Sequence, residues 1–393
     1  MDPGLAYGLV WAGFLAYLAV LVWAPRLGGR VVWGLIVVFV AAFALSPVLL
    51  SHDVWSYVDY ARLGVRHGLD PYVARPDAVP GDPAFAHVTW TEQPSVYGPL
   101  FTLATYPLAW LPVGTAVAVL KGVAALSVLG LAALVARIGA WRGVDPRRAA
   151  AFVALNPLVL VHVVGGAHND GLTTLLAMLA VAAILARREA GAGAALVGAI
   201  AVKLSAAFLA PFALSATARP RSAVNSRPYR DLSHSGSEGE PESSPRPGAA
   251  ALARLLAGAV AAAVAIAVAA CLAFGWSWLD AFGLAGENQG RTSHLSLPIT
   301  FARLTGFDTD AVRTAALLLY AAALAYLLAW TWRGGDWVRA AAWAGFGLLL
   351  ATSWLLPWYL VWPLPLVAVS RDRPLQLLTL ALTAYQLGAR IPL

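Results

Sequence analysis

Residues 31–60 read VVWGLIVVFVAAFALSPVLLSHDVWSYVDY. The run 31–50 is nearly all apolar, and His52 and Asp53 follow at once. As a helix, such a run crosses the roughly 30 Å of a bilayer's hydrocarbon core. The acid therefore stands at the lip of a membrane segment. Four more acids, Asp59, Asp70, Asp77 and Asp82, follow closely.

The rest of the chain is equally apolar. Of its 393 residues, 60% are hydrophobic and 12% charged, and the mean hydropathy is +0.71. A soluble chain of this size needs far more charge to cover its surface. The alternation of a membrane β-barrel is absent, so the spans are helices. The fold class is all-α, a polytopic integral membrane protein in one domain over 1–393. A single cysteine, Cys271, excludes an intramolecular disulfide. The net charge of +7 is carried by 25 arginines and two lysines, whose placement points to membrane topology and not to nucleic acid. The N-terminus has no basic n-region and no small-residue cleavage site, so it reads as a retained first helix with its N-terminus outside.

Apolar runs lie at 5–24, 31–50, 115–138, 150–164, 170–186, 249–274, 309–331, 338–355, 357–369 and 374–389, which gives about ten spans. The run 98–112, broken by Pro107 and Pro112, is too short to span and belongs in the interface. Residues 51–96 form a first extracytoplasmic loop and 275–308 a second. The segment 217–248, rich in Ser, Pro, Arg and Glu, is predicted to be a disordered cytoplasmic loop. The run 190–216 carries Lys203 at its centre.

One threading satisfies the positive-inside rule. It places 18 of the 25 arginines and eight of the 20 acids in the cytoplasm. It also requires 190–216 to leave and return on one side, as a re-entrant pair of half-helices meeting near Lys203. Broken helices at membrane depth are tolerated where they are buried or line a wet cavity.

Unusual polar residues gather on the outer face. Asp53, partly desolvated at the membrane edge, can act as a general base, or it can cap a helix beginning at Val54. Tyr57, Tyr60, Tyr72, Trp90 and Tyr97 suit either sugar stacking or an interfacial aromatic belt, the commoner use. In GGAHNDG, 165–171, His168, Asn169 and Asp170 occupy a connection where two residues would do. They can bind substrate hydroxyls, and Asn169 or Asp170 can equally cap the next helix. His162 reads as a packed core histidine. In 286–304, Arg291 and His294 offer donors suited to phosphate, although a solvated loop has the same composition. Lys203, within AIAVKLSAAFLAPFAL, needs a partner or a wet cavity; Lys121 raises the same question more weakly. No P-loop, GxSxG, HExxH or dinucleotide fingerprint is present. A large activated substrate must therefore arrive through the membrane.

An outer acid opening the first large loop, a polytopic helical chain and no nucleotide domain together resemble the GT-C superfamily of lipid-phosphosugar-dependent glycosyltransferases. DVWSYVDYARLGVRHGLDPY, NPLVLVHVVGGAHNDGLTTLLAMLA, AVKLSAAFLAPFAL, HLSLPITFARL and LLPWYLVWPLPLVA are more closely similar to actinobacterial polyprenyl-phosphate-mannose-dependent α-1,6-mannosyltransferases, which build lipomannan-type cores. The resemblance runs from about residue 50 to 370. It implies Asp53 as the catalytic base, His168-Asn169-Asp170 as the family's HND motif and Pro357-Trp358-Tyr359 as its PWY motif. His52 stands where many superfamily members carry a second acid, so no metal or other cofactor is expected. The implied reaction is inverting mannosyl transfer from a polyprenyl-phosphate donor to a glycan or glycolipid, on the extracytoplasmic side of the plasma membrane. Arg291, His294 and Lys203 would neutralise the leaving phosphate. His52, Tyr57, His168, Asn169, Asp170, Trp358 and Tyr359 would bind the sugar and acceptor. The alternatives are a GT-C enzyme using another lipid-linked sugar and, from another class, a transporter or lipid flippase using Lys203 and Asp53 as a relay.

Overall fold

The computed structural model describes residues 3–219, 248–287 and 290–390. Among these there is no β-strand. The helices are, in order, α1 (Pro3–Trp23), α2 (Gly29–Leu45), α3 (Asp53–His67), α4 (Pro99–Thr105), α5 (Val113–Trp141), α6 (Pro146–Ala154), α7 (Asp170–Leu185) and α8 (Glu189–Val202). They continue as α9 (Ala210–Ala218), α10 (Gly248–Phe274), α11 (Asp280–Glu287), α12 (Leu297–Thr305), α13 (Thr309–Trp332), α14 (Trp337–Ala351), α15 (Leu364–Val369) and α16 (Arg373–Arg390).

Three described helices, α5, α10 and α13, are each long and apolar enough to cross a membrane. Their outward faces stay apolar: Val260, Val264 and Val268 recur every four residues along α10, all more than half exposed, as are Leu317, Leu318 and Leu319 on α13. Exposed apolar stripes of this extent belong in lipid. The protein is a membrane protein. Apolar helices of 10–17 residues supply most of the other runs read from sequence. Of the segment 217–248 expected to be disordered, residues 217–218 close α9 and Gly248 opens α10, while 220–247 lies outside the described residues.

Two runs that read as single spans are broken. The run 150–164 divides into α6 and a π-helix at Val159–Gly165, bent by 64°. Pro157 ends α6 because a residue preceding proline is pushed out of helical conformation and proline donates no N–H. The Asn156 side chain takes up the Leu158 N–H at 3.0 Å. The run 357–369 is a 3₁₀ turn, Pro357–Val361, followed by the six-residue α15. Within the first outer loop, the fifteen residues Asp53–His67 form α3.

The segment 189–218 turns at Lys203, which adopts an extended conformation (φ −156°, ψ 127°) between α8 and a 3₁₀ turn. Both of its ends meet the first turns of α10. Arg254 Nε donates to Glu189 Oε2 at 3.3 Å, and the Ala218 carbonyl lies so close to Gly248 that a Cβ there would approach it to 2.2 Å. The segment thus comes back to the end of α10 that it left. At the break, the Gly98 N–H donates to the Val202 carbonyl at 3.1 Å, fastening the outer loop to the turn. Lys121 finds a structural use. It is buried in α5 and donates to the Ser46 and Pro47 carbonyls just past the end of α2, where such groups lack helical partners.

Candidate active site

A cavity of about 760 Å³ opens where α3, the Lys203 break and the 352–362 segment converge. Asp53 lines it, as do His52, Trp90, Lys203, Arg291, Trp358, Tyr359 and Trp362. Much of the remaining lining is apolar or aromatic, from Phe282 of α11, Leu317 and Tyr320 of α13 and Leu348 and Leu349 of α14.

Asp53 is the first residue of α3, and His52, in the cap position, makes no side-chain cap bond. The carboxylate is therefore not consumed as a helix cap. Burial pushes its pKa up to about 6, with Asp170 adding to the rise; the Lys203 charge and hydrogen bonds from Trp90 and Ser51 oppose it. A carboxylate so placed is charged at neutral pH and basic enough to take a hydroxyl proton.

Asp170 opens α7 in the same way, with no capping side chain at Asn169. Its side chain is fully buried and receives Lys203 Nζ at 2.9 and 2.8 Å on its two oxygens and Trp362 Nε1 at 2.6 Å. Lys203 also stands 5.7 Å from the Tyr359 ring centre and 5.9 Å from that of Trp362, two rings stacked at 4.1 Å. His168 is buried and stacked on Trp358 at 4.0 Å, the rings inclined by 24°. Its Nδ1 lies 3.6 Å from Asp53 Oδ2 and 3.8 Å from Asp170 Oδ2.

The backbone under these residues is constrained. The Leu49 N–H donates to the Gly165 carbonyl at 3.2 Å, stitching the approach to Asp53 onto the HND turn. Leu50 and Ala167 both have positive φ, 55° and 54°, a conformation that costs a side-chain-bearing residue about 1–2 kcal/mol. Gly166 is required here, since a Cβ would lie 2.6 Å from the His162 carbonyl oxygen.

The structure thus brings Asp53, His52, Lys203, Arg291, Trp358 and Tyr359 to one cavity. His168, Asn169, Asp170 and Tyr57 lie behind its wall and not on its surface. Tyr57 packs edge-on against Tyr97 and Phe101. His294 is exposed and outside the cavity lining. Arg291 faces two indoles, 5.0 Å from Trp90 and 6.0 Å from Trp354, which leaves the edge of its guanidinium for a ligand. Trp354 and Trp362 were not singled out by sequence, and Trp90 only as one of five loop aromatics suited to sugar stacking or an interfacial belt. The signal for Trp362 was its i,i+3 spacing from Tyr359, which brings side chains over one another in a 3₁₀ turn.

Three further acids of the first loop, Asp82, Asp70 and Asp77, are staples. Asp82 accepts from Arg62 Nε at 2.7 Å and contacts His67 Nε2 at 2.8 Å. Asp70 takes the Tyr72 N–H at 2.9 Å and the Ser277 hydroxyl, and Asp77 pairs with Arg75. Asp59, buried beside Asp82, is pushed up to about 7 by desolvation and by that neighbour. No cluster of three or more His, Cys, Asp or Glu fit to hold a metal ion occurs among the described residues.

Residues 4–219 match a family model described as alpha-(1->6)-mannopyranosyltransferase, N-terminal domain. The chain is 29% identical over 356 residues to alpha-(1->6)-mannopyranosyltransferase A of Mycobacterium tuberculosis, covering 84% of this chain and 64% of that protein. It is 32% identical over 183 residues to the protein of the same name in Corynebacterium glutamicum, covering 44% and 36%. The chain therefore spans less than two thirds of the length of these relatives.

Proposed function

The chain belongs to the alpha-(1->6)-mannopyranosyltransferase family, and from that premise we propose that it transfers a mannosyl residue from a polyprenyl-phosphate donor to a mannan-type glycan or glycolipid. In this reading the chain is multi-pass, with about ten spans, and the cavity faces the extracytoplasmic side of the cell membrane. The observation that carries the reading is the pairing, within one cavity, of a weakly basic carboxylate, two cations and an apolar wall.

The lipid tail lies along Phe282, Leu317 and Tyr320, where α13 carries apolar side chains outward. The phosphate meets Arg291 and Lys203. The mannosyl ring rests against Trp358 and Tyr359, and the acceptor enters past His52 and Trp90. Asp53 takes the proton of an acceptor hydroxyl as its oxygen forms a bond to the anomeric carbon. The bond from that carbon to the phosphate oxygen breaks, and polyprenyl monophosphate departs with the electron pair. A single displacement with one base inverts the centre, so a β-linked donor yields an α-linked product. Cations aimed at the departing phosphate stabilise the charge that develops there.

The test is to supply purified protein in detergent with polyprenyl-phosphate-mannose and a short α-mannoside, and to determine the product's linkage and anomeric configuration by NMR. An α-1,6-linked extension is expected. A β-linked product, or transfer only from a different lipid-linked sugar, would overturn the assignment.

A further inference from the structure

We propose that His168 is a positioning residue that orients the Asp53 carboxylate from behind the cavity wall, through its Nδ1, and does not bind sugar. The inference rests on the reading of Asp53 as the base. Four observations carry it. The His168 side chain is fully buried and absent from the cavity lining, so it has no path to a sugar hydroxyl. The flat face of its ring is held by Trp358 at 4.0 Å, which fixes the edge that it presents. That edge points Nδ1 at Asp53 Oδ2 and Asp170 Oδ2, 3.6 and 3.8 Å away. Finally, neither ring nitrogen has a hydrogen-bond partner among the described residues. A buried donor without a partner is costly, and a short closing motion of Asp53 would supply one.

The charged and titratable groups around the ring come from every element that meets it. Asp53 opens α3, Asp170 opens α7, Lys203 sits at the break after α8, and His162 lies in the π-helix, its ring centre 5.7 Å from that of Trp358. Asp170 is already taken by Lys203 and Trp362. Asp53 is therefore the acceptor that remains for an Nδ1–H. When the base receives the acceptor's proton, a donor at this place holds one carboxylate oxygen back and turns the other toward the cavity. Trp358 thereby has two duties: its ring lines the cavity and its face holds the histidine.

Isosteric amides test the geometry, because an Asn amide nitrogen falls near Nδ1 of a histidine and a Gln amide nitrogen near Nε2. His168→Asn, His168→Gln and His168→Leu would be purified beside Asp53→Asn, with thermal unfolding followed for each. The expected result is a loss in kcat on the order of 10²-fold for His168→Leu and His168→Gln, with donor and acceptor KM nearly unchanged; misplacing a catalytic group by about 1 Å costs this much. His168→Asn should recover most of the rate, and should return the acidic limb of the kcat/KM profile, raised in His168→Leu, toward the wild-type position. A rise in KM in all three would mark His168 as a sugar ligand and overturn the proposal. Equal rates in Asn and Leu variants of equal stability would also overturn it. If Asp53→Asn keeps full activity, the assignment of the base fails instead, and the two failures are thereby distinguished.

Discussion

Replacing Lys203 with Met leaves the Asp170 carboxylate, whose side chain is fully buried, without the ammonium lying 2.9 and 2.8 Å from its oxygens. Exposed ion pairs contribute about 0–1 kcal/mol. Removing one member of a desolvated pair costs about 3–5 kcal/mol, because the other charge stays behind. Two features place Lys203 at the lower end. Its side chain is 19% exposed, and Trp362 Nε1 continues to donate to Asp170 at 2.6 Å. The expected loss for Lys203→Met is therefore about 3 kcal/mol. Asp170→Asn should cost less, about 2 kcal/mol, since Lys203 can turn into the cavity. The double variant has no stranded charge and should lose only about 2 kcal/mol, leaving a coupling of about 3 kcal/mol. Unfolding in mixed micelles with increasing SDS, followed by the fluorescence of the 16 tryptophans, measures all four corners of this cycle. Losses that simply add would refute the reasoning, since they would mean that the two groups do not hold each other in the folded protein.

Three further outcomes follow from the same geometry. Asp53 works as a base only when deprotonated, so with its pKa pushed up to about 6, kcat/KM should be level above that pH and fall about tenfold per unit below it; a flat profile down to pH 4 would remove Asp53 from the rate law. Arg291→Ala should raise the donor KM about 10–100-fold, the worth of hydrogen bonds to a charged group, and Arg291→Lys should recover only part because it loses the planar stack between Trp90 and Trp354. Gly98→Ala places a Cβ 2.1 Å from the Ala201 carbonyl oxygen; it should lower stability by about 1–3 kcal/mol in the same SDS assay and reduce activity by shifting Lys203.

Much of this site was legible in residue order, for physical reasons. Asp53 stood out because an acid directly after a membrane-length apolar run is costly unless it is used. Lys203 stood out likewise, and its need for a partner is met by Asp170, 33 residues earlier. What the order of residues could not give was direction. The HND motif reads as a polar cluster free to face a ligand. Its orientation depends on a π-helix, a 64° bend at Pro157 and a positive φ at Ala167, none of which has a periodic signature. The indoles of Trp354 and Trp362, and the place of Trp90 beside Arg291, were hidden for the opposite reason. Aromatic residues near a membrane interface are the default, so only their placement around Arg291 and Lys203 distinguishes them. The breaks at Pro157 and in 357–369 were likewise masked, because an apolar run signals burial and not continuity.

Asp53 as the base of a lipid-linked mannosyl transfer is the claim on which the rest depends. The most direct test is the initial rate of transfer from polyprenyl-phosphate-mannose to a short α-mannoside by purified wild type and Asp53→Asn, matched for folding by their unfolding curves. The account predicts robust transfer by the wild type and a rate lower by about 10²–10⁴-fold in the variant. Equal rates in the two proteins would contradict it, and so would a folded wild type that moves no mannose from this donor.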